Sequence, residues 1–268
     1  MSGFYNVIIR FFCTFLMLLS YVTQAQNLIL AQSTAFTVSF GPSMFHGDVC
    51  PDCANLGYDM SVGARFHIQQ KMYFNSRFHL GYLGANDSKS TKRADKALSF
   101  SSNTYQLEVN MQYFFTQYGD YTNKNKVHPY GLGGVGMLFF NPQTKLNNRR
   151  VNLQALQTEG VAYAKTTLTV NVGLGLLFDV NDKLFLTAEY RFYYTFSDYI
   201  DDVSGDYAER SLLFGDGLTL ADRSSEKGYE PSTSNNGEYW QAGSQRGSNQ
   251  RNDFYTILSL GVGFNLVK

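Results

Sequence analysis

The sequence predicts an all-β fold: eight antiparallel strands closed into a transmembrane β-barrel. Three observations lead there. Apolar and polar side chains alternate over runs of roughly a dozen residues, the period of a strand whose successive side chains point to opposite faces. Beyond the N-terminal segment, no stretch stays apolar for the roughly 18 residues that a spanning helix needs. The 268 residues include 22 Phe and 19 Tyr, while only 16% are charged, with 22 basic against 22 acidic side chains. That balance excludes the basic surplus of a nucleic-acid binder. Five prolines and 44% hydrophobic residues exclude a disordered chain. A mean hydropathy of −0.24 argues against a helical membrane protein. It suits a barrel, whose strands dilute apolar residues with polar ones.

Residues 1–25 read as a cleavable signal peptide. Arg10 supplies the positive start, Phe11 to Leu19 the short apolar core, and Thr23-Gln24-Ala25 a small residue before the cut at Gln26. An uncleaved anchor is the alternative, but the apolar run is too short for a spanning helix. Two cysteines follow, in Cys50-Pro51-Asp52-Cys53. In an exported chain this pair is read as a local disulfide. The lesser alternative is a metal held with His46, Asp48 and Asp52, although a closed zinc site needs four organised ligands.

The strands then come in order. The first lies near Ala35–Met44. In the second, Tyr58, Met60, Val62, Ala64, Phe66 and Ile68 oppose Asp59, Ser61, Gly63, Arg65 and His67. In the third, Met72, Phe74, Phe78, Leu80 and Tyr82 oppose Tyr73, Asn75, Arg77, His79 and Gly81. In the fourth, Tyr105 to Phe115 alternate with Gln106, Glu108, Asn110, Gln112 and Phe114. A glycine-rich fifth spans His128–Phe140, and the sixth and seventh run over Thr167–Phe178 and Leu184–Ser197. The eighth, from Phe254 to Leu266, ends the chain. Soluble strands typically run about five or six residues, whereas a tilted membrane strand needs roughly 9–11. Tyr58, Tyr82, Tyr105, Phe115, Tyr130, Phe140, Tyr194 and Phe196 cluster at strand ends, as interfacial girdles do. The rival fold is a secreted soluble barrel with its apolar face turned inward, which periodicity alone does not exclude.

Short and long connections alternate. The short ones lie near Gln69-Gln70-Lys71, with Ile68 expected opposite Met72, and near Val180-Asn181-Asp182, with Phe178 opposite Leu184. Long ones cover about residues 46–55, 85–99, 141–163 and 198–252. A connection of intermediate length at 116–127 is the exception on the short side. Long loops outside and short turns in the periplasm is the outer-membrane layout.

If the apolar faces meet lipid, Asp59, Arg65, His67, Arg77, His79, Glu108, Glu189 and Arg191 point inward. An eight-stranded barrel has room for side chains but not for a channel, so these charges must pair, Glu189 with Arg191 among them. The expectation is a polar plug. Catalysis is the functional alternative, with His67 and His79 as candidates. The hairpin register sets His79 opposite Ser61, about 20 Å from His67, too far to share a metal or a proton. No Ser-His-Asp, paired-carboxylate or phosphate-loop pattern stands out. Gly131-Leu132-Gly133-Gly134-Val135-Gly136 lies inside a strand with no helix after it, and Asp202-Val203-Ser204-Gly205-Asp206 lacks the remaining ligands of a calcium loop. No enzyme activity, cofactor or metal is expected.

Two loop stretches are more specific. One is Phe140-Asn141-Pro142 followed by Leu153-Gln154-Ala155-Leu156-Gln157-Thr158-Glu159-Gly160. The other runs from Phe196 through Asp198, Tyr199, Ile200, Asp201, Asp202, Val203 and Ser204 to Tyr207 and Leu220-Ala221-Asp222-Arg223-Ser224. With the eight-strand plan, the chain from residue 26 onward resembles the PorG-like outer-membrane barrels of the Bacteroidetes. The resemblance implies a scaffold of the type IX secretion system, which also supports gliding motility in some species. Its expected partners are outer-membrane lipids and a periplasmic ring built from a lipoprotein and its partner protein. Neither nucleic acid nor a small-molecule substrate is implied. The Cys50–Cys53 pair and the polar insert near 225–250 depart from the family pattern. A surface-exposed binding or adhesion barrel is the rival function, and a small outer-membrane enzyme a third.

Overall fold

A computed structural model describes residues 34–69, 71–116, 118, 126–228 and 240–266. The expected signal peptide lies outside them, as do parts of the 116–127 connection and of the polar insert. Eight long strands make the wall: β1 (Thr34–His46), β2 (Asn55–Gln69), β3 (Met72–Asn86), β4 (Ser99–Phe114), β5 (Val127–Phe139), β8 (Thr166–Asp179), β9 (Leu184–Thr195) and β10 (Phe254–Asn265). A small hairpin, β6 (Gln143–Leu146) and β7 (Arg149–Asn152), branches from the rim where Ser101 pairs with Gln143. The wall strands pair antiparallel in the order β3-β2-β1-β10-β9-β8-β5-β4, and β4 returns to β3. The sheet is therefore a closed eight-stranded barrel without a free edge, the only kind of sheet that satisfies its backbone groups in lipid. Wall strands run from 12 to 16 residues. No helix among the described residues is long and apolar enough to cross a membrane.

The orientation of the two faces decides between the rival barrels. Phe36, Val38 and Phe40 of β1, Leu168, Val172 and Leu174 of β8, and Leu258, Leu260 and Val262 of β10 all face outward, Leu260 at 69% exposure. Asp59, Arg77, Glu108, Glu189 and Arg191 face inward, each 5% exposed or less. A soluble barrel would reverse this arrangement. An apolar exterior around a polar interior costs heavily in water and little in a bilayer.

The structure corrects several expectations from the sequence. Gln69, not Ile68, pairs with Met72, because Ile68 sits in a bulge where the register skips from His67 to Gln69. Phe178 faces Leu186 instead of Leu184, since the turn after it closes by Val180 and Asn181 N–H groups donating to the Leu184 carbonyl. A shift of two residues keeps side-chain parity, so the apolar face still points outward. Tyr130 and Phe140, expected in the aromatic girdle, are buried within the barrel and its cap. Tyr58, Tyr105, Phe115, Tyr194 and Phe196 do stand outward, and Tyr82 is half-buried beside them. The long connections are not bare loops: one carries β6–β7, another the short helix α1 (Asp216–Ala221).

Candidate functional site

The barrel interior is filled at three levels. Nearest the short turns lies an aromatic plug of Tyr73, Phe114, Tyr130 and Phe185, with Ala35, Leu132 and Leu177. Arg65 is threaded into it. Its guanidinium carbon lies 4.5 Å from the Phe185 ring centroid and 5.0–5.7 Å from those of Tyr118, Tyr73 and Phe114. It also donates to the Tyr118 hydroxyl at 2.9 Å. Cation–π contacts with four rings substitute for a carboxylate partner in a dry environment. Phe185 fits because Gly263 faces it on β10, where a Cβ would lie 2.0 Å from its ring.

Above the plug is an ionic belt. Arg77 donates to Glu189 at 2.7 Å and Arg191 Nε donates to the same carboxylate at 2.9 Å. Arg191 also pairs with Glu108. His79 Nδ1 hydrogen-bonds Asp59 at 3.0 Å, while its Nε2 lies 3.3 Å from Glu108. Tyr130 donates to Glu189 at 2.5 Å, and Tyr193 and Asn110 both donate to Glu108 at 3.0 Å. Glycines make room for these side chains on adjacent strands: Gly41 and Gly81 face Asp59, Gly63 faces Arg77, Gly136 faces Glu108, and Gly173 faces Arg191. Three carboxylates thus meet two guanidinium groups and one imidazole. Such a network is worth keeping only when every member is paired, since one orphaned ion in this setting costs several kcal/mol, about 3–5.

The structure brings six of the eight predicted interior residues into this belt: Asp59, Arg77, His79, Glu108, Glu189 and Arg191. Arg65 stands apart in the aromatic plug. His67 is half-buried at the short-turn rim, where its ring packs 4.8 Å from that of Tyr73. Tyr130, Tyr193 and Tyr255 belong to the interior and were missed. Their inward parity on β5, β9 and β10 was the available signal, hidden because tyrosine suits lipid interfaces as well.

The third level is a folded cap made from the long connections. Its apolar core joins Phe45, Val49, Leu83, Leu98, Phe100, Phe140, Leu153, Ile200, Val203 and Leu220. The two distinctive loop stretches of the sequence, 140–160 and 196–224, build the frame around that core. Asp201 accepts from the Asp48 and Val49 backbones at 2.9 and 3.0 Å. Glu159 accepts from the Ser204 and Gly205 backbones and from Arg246. Asp202 accepts from Thr158 and Tyr163 at 2.5 and 2.6 Å, so the fragment read against a calcium loop is occupied by internal contacts. Tyr199 stacks on Tyr163 with centroids 4.6 Å apart. Asp222 accepts from Ser224, and Arg223 donates to Ser99 and Thr144. Asn141 donates to Ser102, Pro142 accepts from the Leu153 backbone, and Gly160 turns with a positive φ of 71°. Cys50 and Cys53 are disulfide-bonded at the cap's edge, and the neighbouring Asp52 is engaged by Ser90 and Thr91.

Cap carboxyls are held mainly by backbone N–H groups, with few cations. Burial raises Asp198 to about 7 and Asp87 to about 6. Asp201 and Asp253 are pushed well above the carboxylate range by burial first, then by repulsion from Asp48, from Asp198 and, for Asp253, from Asp201. One oxygen each of Asp198 and Asp253 is buried without a hydrogen-bond partner among the described residues. Burial also lowers Lys96 to about 8; its ammonium donates to the Gln245 and Arg246 carbonyls and lies 5.0 Å from the Trp240 ring centroid.

A family model described as an outer membrane protein beta-barrel domain matches residues 11–218, well over half of the chain. The chain belongs to that family. It is an outer-membrane β-barrel, and the strand beyond the matched stretch, β10, is the one that pairs with β1 to close it. Among solved structures it is similar to Neisserial surface protein A, at 12% identity and a TM-score of 0.43 over 87% of this chain and 97% of that one. It is also similar to OprG of Pseudomonas aeruginosa, at 9% identity and a TM-score of 0.43 over 90% and 98%. Ail, the attachment invasion locus protein of Yersinia pestis, matches at 10% identity and a TM-score of 0.43 over 88% and 100%. No curated protein matches.

Proposed function

We propose that this barrel is a non-enzymatic anchor of the type IX secretion and gliding machinery, tying a periplasmic ring to the outer membrane. The observation that carries the reading is the filled interior. An aromatic plug, an ionic belt and a cap are stacked along the barrel axis among the described residues, and this packing supports a role carried by the barrel's surface. Asp59, Arg77, His79, Glu108, Glu189 and Arg191 are committed to one another, which supports the non-enzymatic reading. The PorG-like loop motifs supply the link to secretion. They sit on the long-loop rim because they hold the cap together, which leaves the short-turn rim available to the ring. In this reading an N-terminal signal peptide exports the chain, the long loops lie outside, and the ring lipoprotein with its partner protein meets the short turns.

Affinity purification of the tagged barrel from detergent-solubilised membranes tests it. Co-purification of the ring lipoprotein is expected. Its absence from cells with intact secretion would overturn the proposal. Protease shaving of whole cells tests the orientation separately, with cleavage expected within 198–252 and not within 116–127.

A second reading, a surface-exposed binding barrel, is favoured by one feature. Val161, Leu212 and Phe214 are exposed on the cap, Phe214 at 79%, away from the lipid-facing wall. Exposed apolar side chains outside the membrane band suit a protein contact. Loss of cell-surface adhesion with unimpaired secretion on substituting Phe214 by Ser would favour this reading over the anchor.

A further inference from the structure

The outer face of the barrel changes character above the aromatic girdle. There a groove of about 490 Å³ opens between the ends of β3 and β4 and the β6–β7 hairpin. Its lower lip is apolar. Leu56 is 63% exposed, and Tyr82 stacks on Tyr58 with ring centroids 5.6 Å apart. Its upper part carries Lys89, Lys145, Arg150 and Arg223, and no carboxylate among the described residues lines it. Arg223 is committed to Glu226 at 2.7 Å. Lys89, Lys145 and Arg150 are exposed and make no ion pair among the described residues, whereas Arg149 next door pairs with Asp216. The hairpin that presents Lys145 and Arg150 is pinned to the wall by Ser101 pairing with Gln143 and by the Ser99–Thr144 hydroxyl contact at 3.0 Å.

We propose that this groove binds the phosphorylated headgroup of a glycolipid in the leaflet beside the long-loop rim. Uncompensated like charges around one concavity favour an anion with several oxygens, which lysine and arginine bind through charge-assisted hydrogen bonds. Asn86, Ser101 and Gln143 add polar groups suited to a sugar. The apolar lip runs without interruption into the lipid-facing wall at Tyr58 and Met60. An amphiphile satisfies both halves of the groove, while a free phosphate satisfies only the upper one. The assignment to the outer leaflet rests on the reading that the long loops lie outside.

The test uses the purified full-length barrel in detergent micelles, so it reads the groove whatever the orientation in cells. Bisphosphorylated lipid A is the probe, and binding is read by native mass spectrometry. The K89Q/K145Q/R150Q variant should weaken binding by at least about tenfold, since three of the groove's cations lose their charge. Lys183→Gln, on the opposite rim, should change nothing. A retained heat-modifiable band on gels checks that both variants fold. Lipid A stripped of its phosphates should bind as weakly as the triple variant does to the intact probe. Equal binding by the folded triple variant, or of the stripped lipid, would overturn the proposal. Displacement of lipid A by millimolar inorganic phosphate would reduce the groove to a simple anion site and overturn the lipid assignment. Whole-cell shaving that cuts the short turns instead would fault the outer-leaflet assignment alone.

Discussion

The membrane-spanning interior and the cap both bury many charges, yet they neutralise them differently. In the interior, Arg77 and Arg191 meet Glu108 and Glu189 directly. In the cap, Asp201 and Asp253 are stabilised by backbone N–H groups and crowd one another. The interior is therefore locked by opposite charges on rigid strands. The cap depends on loop backbones being held in place and on protons being available. A barrel built this way combines a charge-paired shaft with a proton-sensitive cap at its long-loop end.

The largest expected effect lies in the shaft. Arg191→Ala leaves Glu108 without a guanidinium partner and Glu189 with Arg77 as its one remaining cation, and should cost about 3–5 kcal/mol, read as a loss of the heat-modifiable band or a lower urea midpoint. Full folding of that variant would mean that the belt is not a mutually dependent network. In the cap, Arg246→Ala removes the partner of Glu159 and of the Asp202 and Ala221 carbonyls. About 3 kcal/mol of cap stability should go, seen as rapid proteolysis of the 198–252 connection. The folded band should survive, and its disappearance would show that cap and shaft fold as one unit. Gly263→Ala, which crowds the Phe185 ring, should destabilise the shaft by about 1–3 kcal/mol in urea titrations without touching cap proteolysis. Cys50→Ser opens a very small loop and should cost at most about 2 kcal/mol, confined to protease sensitivity near residues 46–55.

The smallest effect tests the proton dependence. Asp198 and Asp87 have raised values in the folded cap, so their contribution to stability is complete below about 4, the ordinary range for a carboxylate, and is lost as pH climbs through about 6 to 7. Cap proteolysis should therefore accelerate from pH 5 to pH 8, and Asp198→Asn should flatten that profile. A cap more resistant at pH 8 than at pH 5 would reverse the sign and contradict the account.

Much of the shaft was legible in the sequence because a strand repeats every two residues. Once Leu168, Val170 and Val172 face lipid, Asn171 has to face inward. Parity also placed Arg77, Glu108 and Arg191 inside and paired Glu189 with Arg191. It could not tell which ions meet across the barrel, because the Arg77–Glu189 contact joins residues on strands that are not neighbours. Nor could it assign Tyr130 and Phe140, whose residue types suit a girdle and an interior alike. The cap was legible only as motifs. Glu159 and Arg246 are far apart in sequence and meet through loops that have no period, so nothing local announces their contact.

The anchor reading is tested most directly by comparing the two rims in living cells. A photo-crosslinking residue placed at Lys183 on a short turn should capture the periplasmic ring lipoprotein, and one placed at Arg150 on the cap side should not. Capture from position 150 alone, or from neither position while secretion proceeds, would contradict the account.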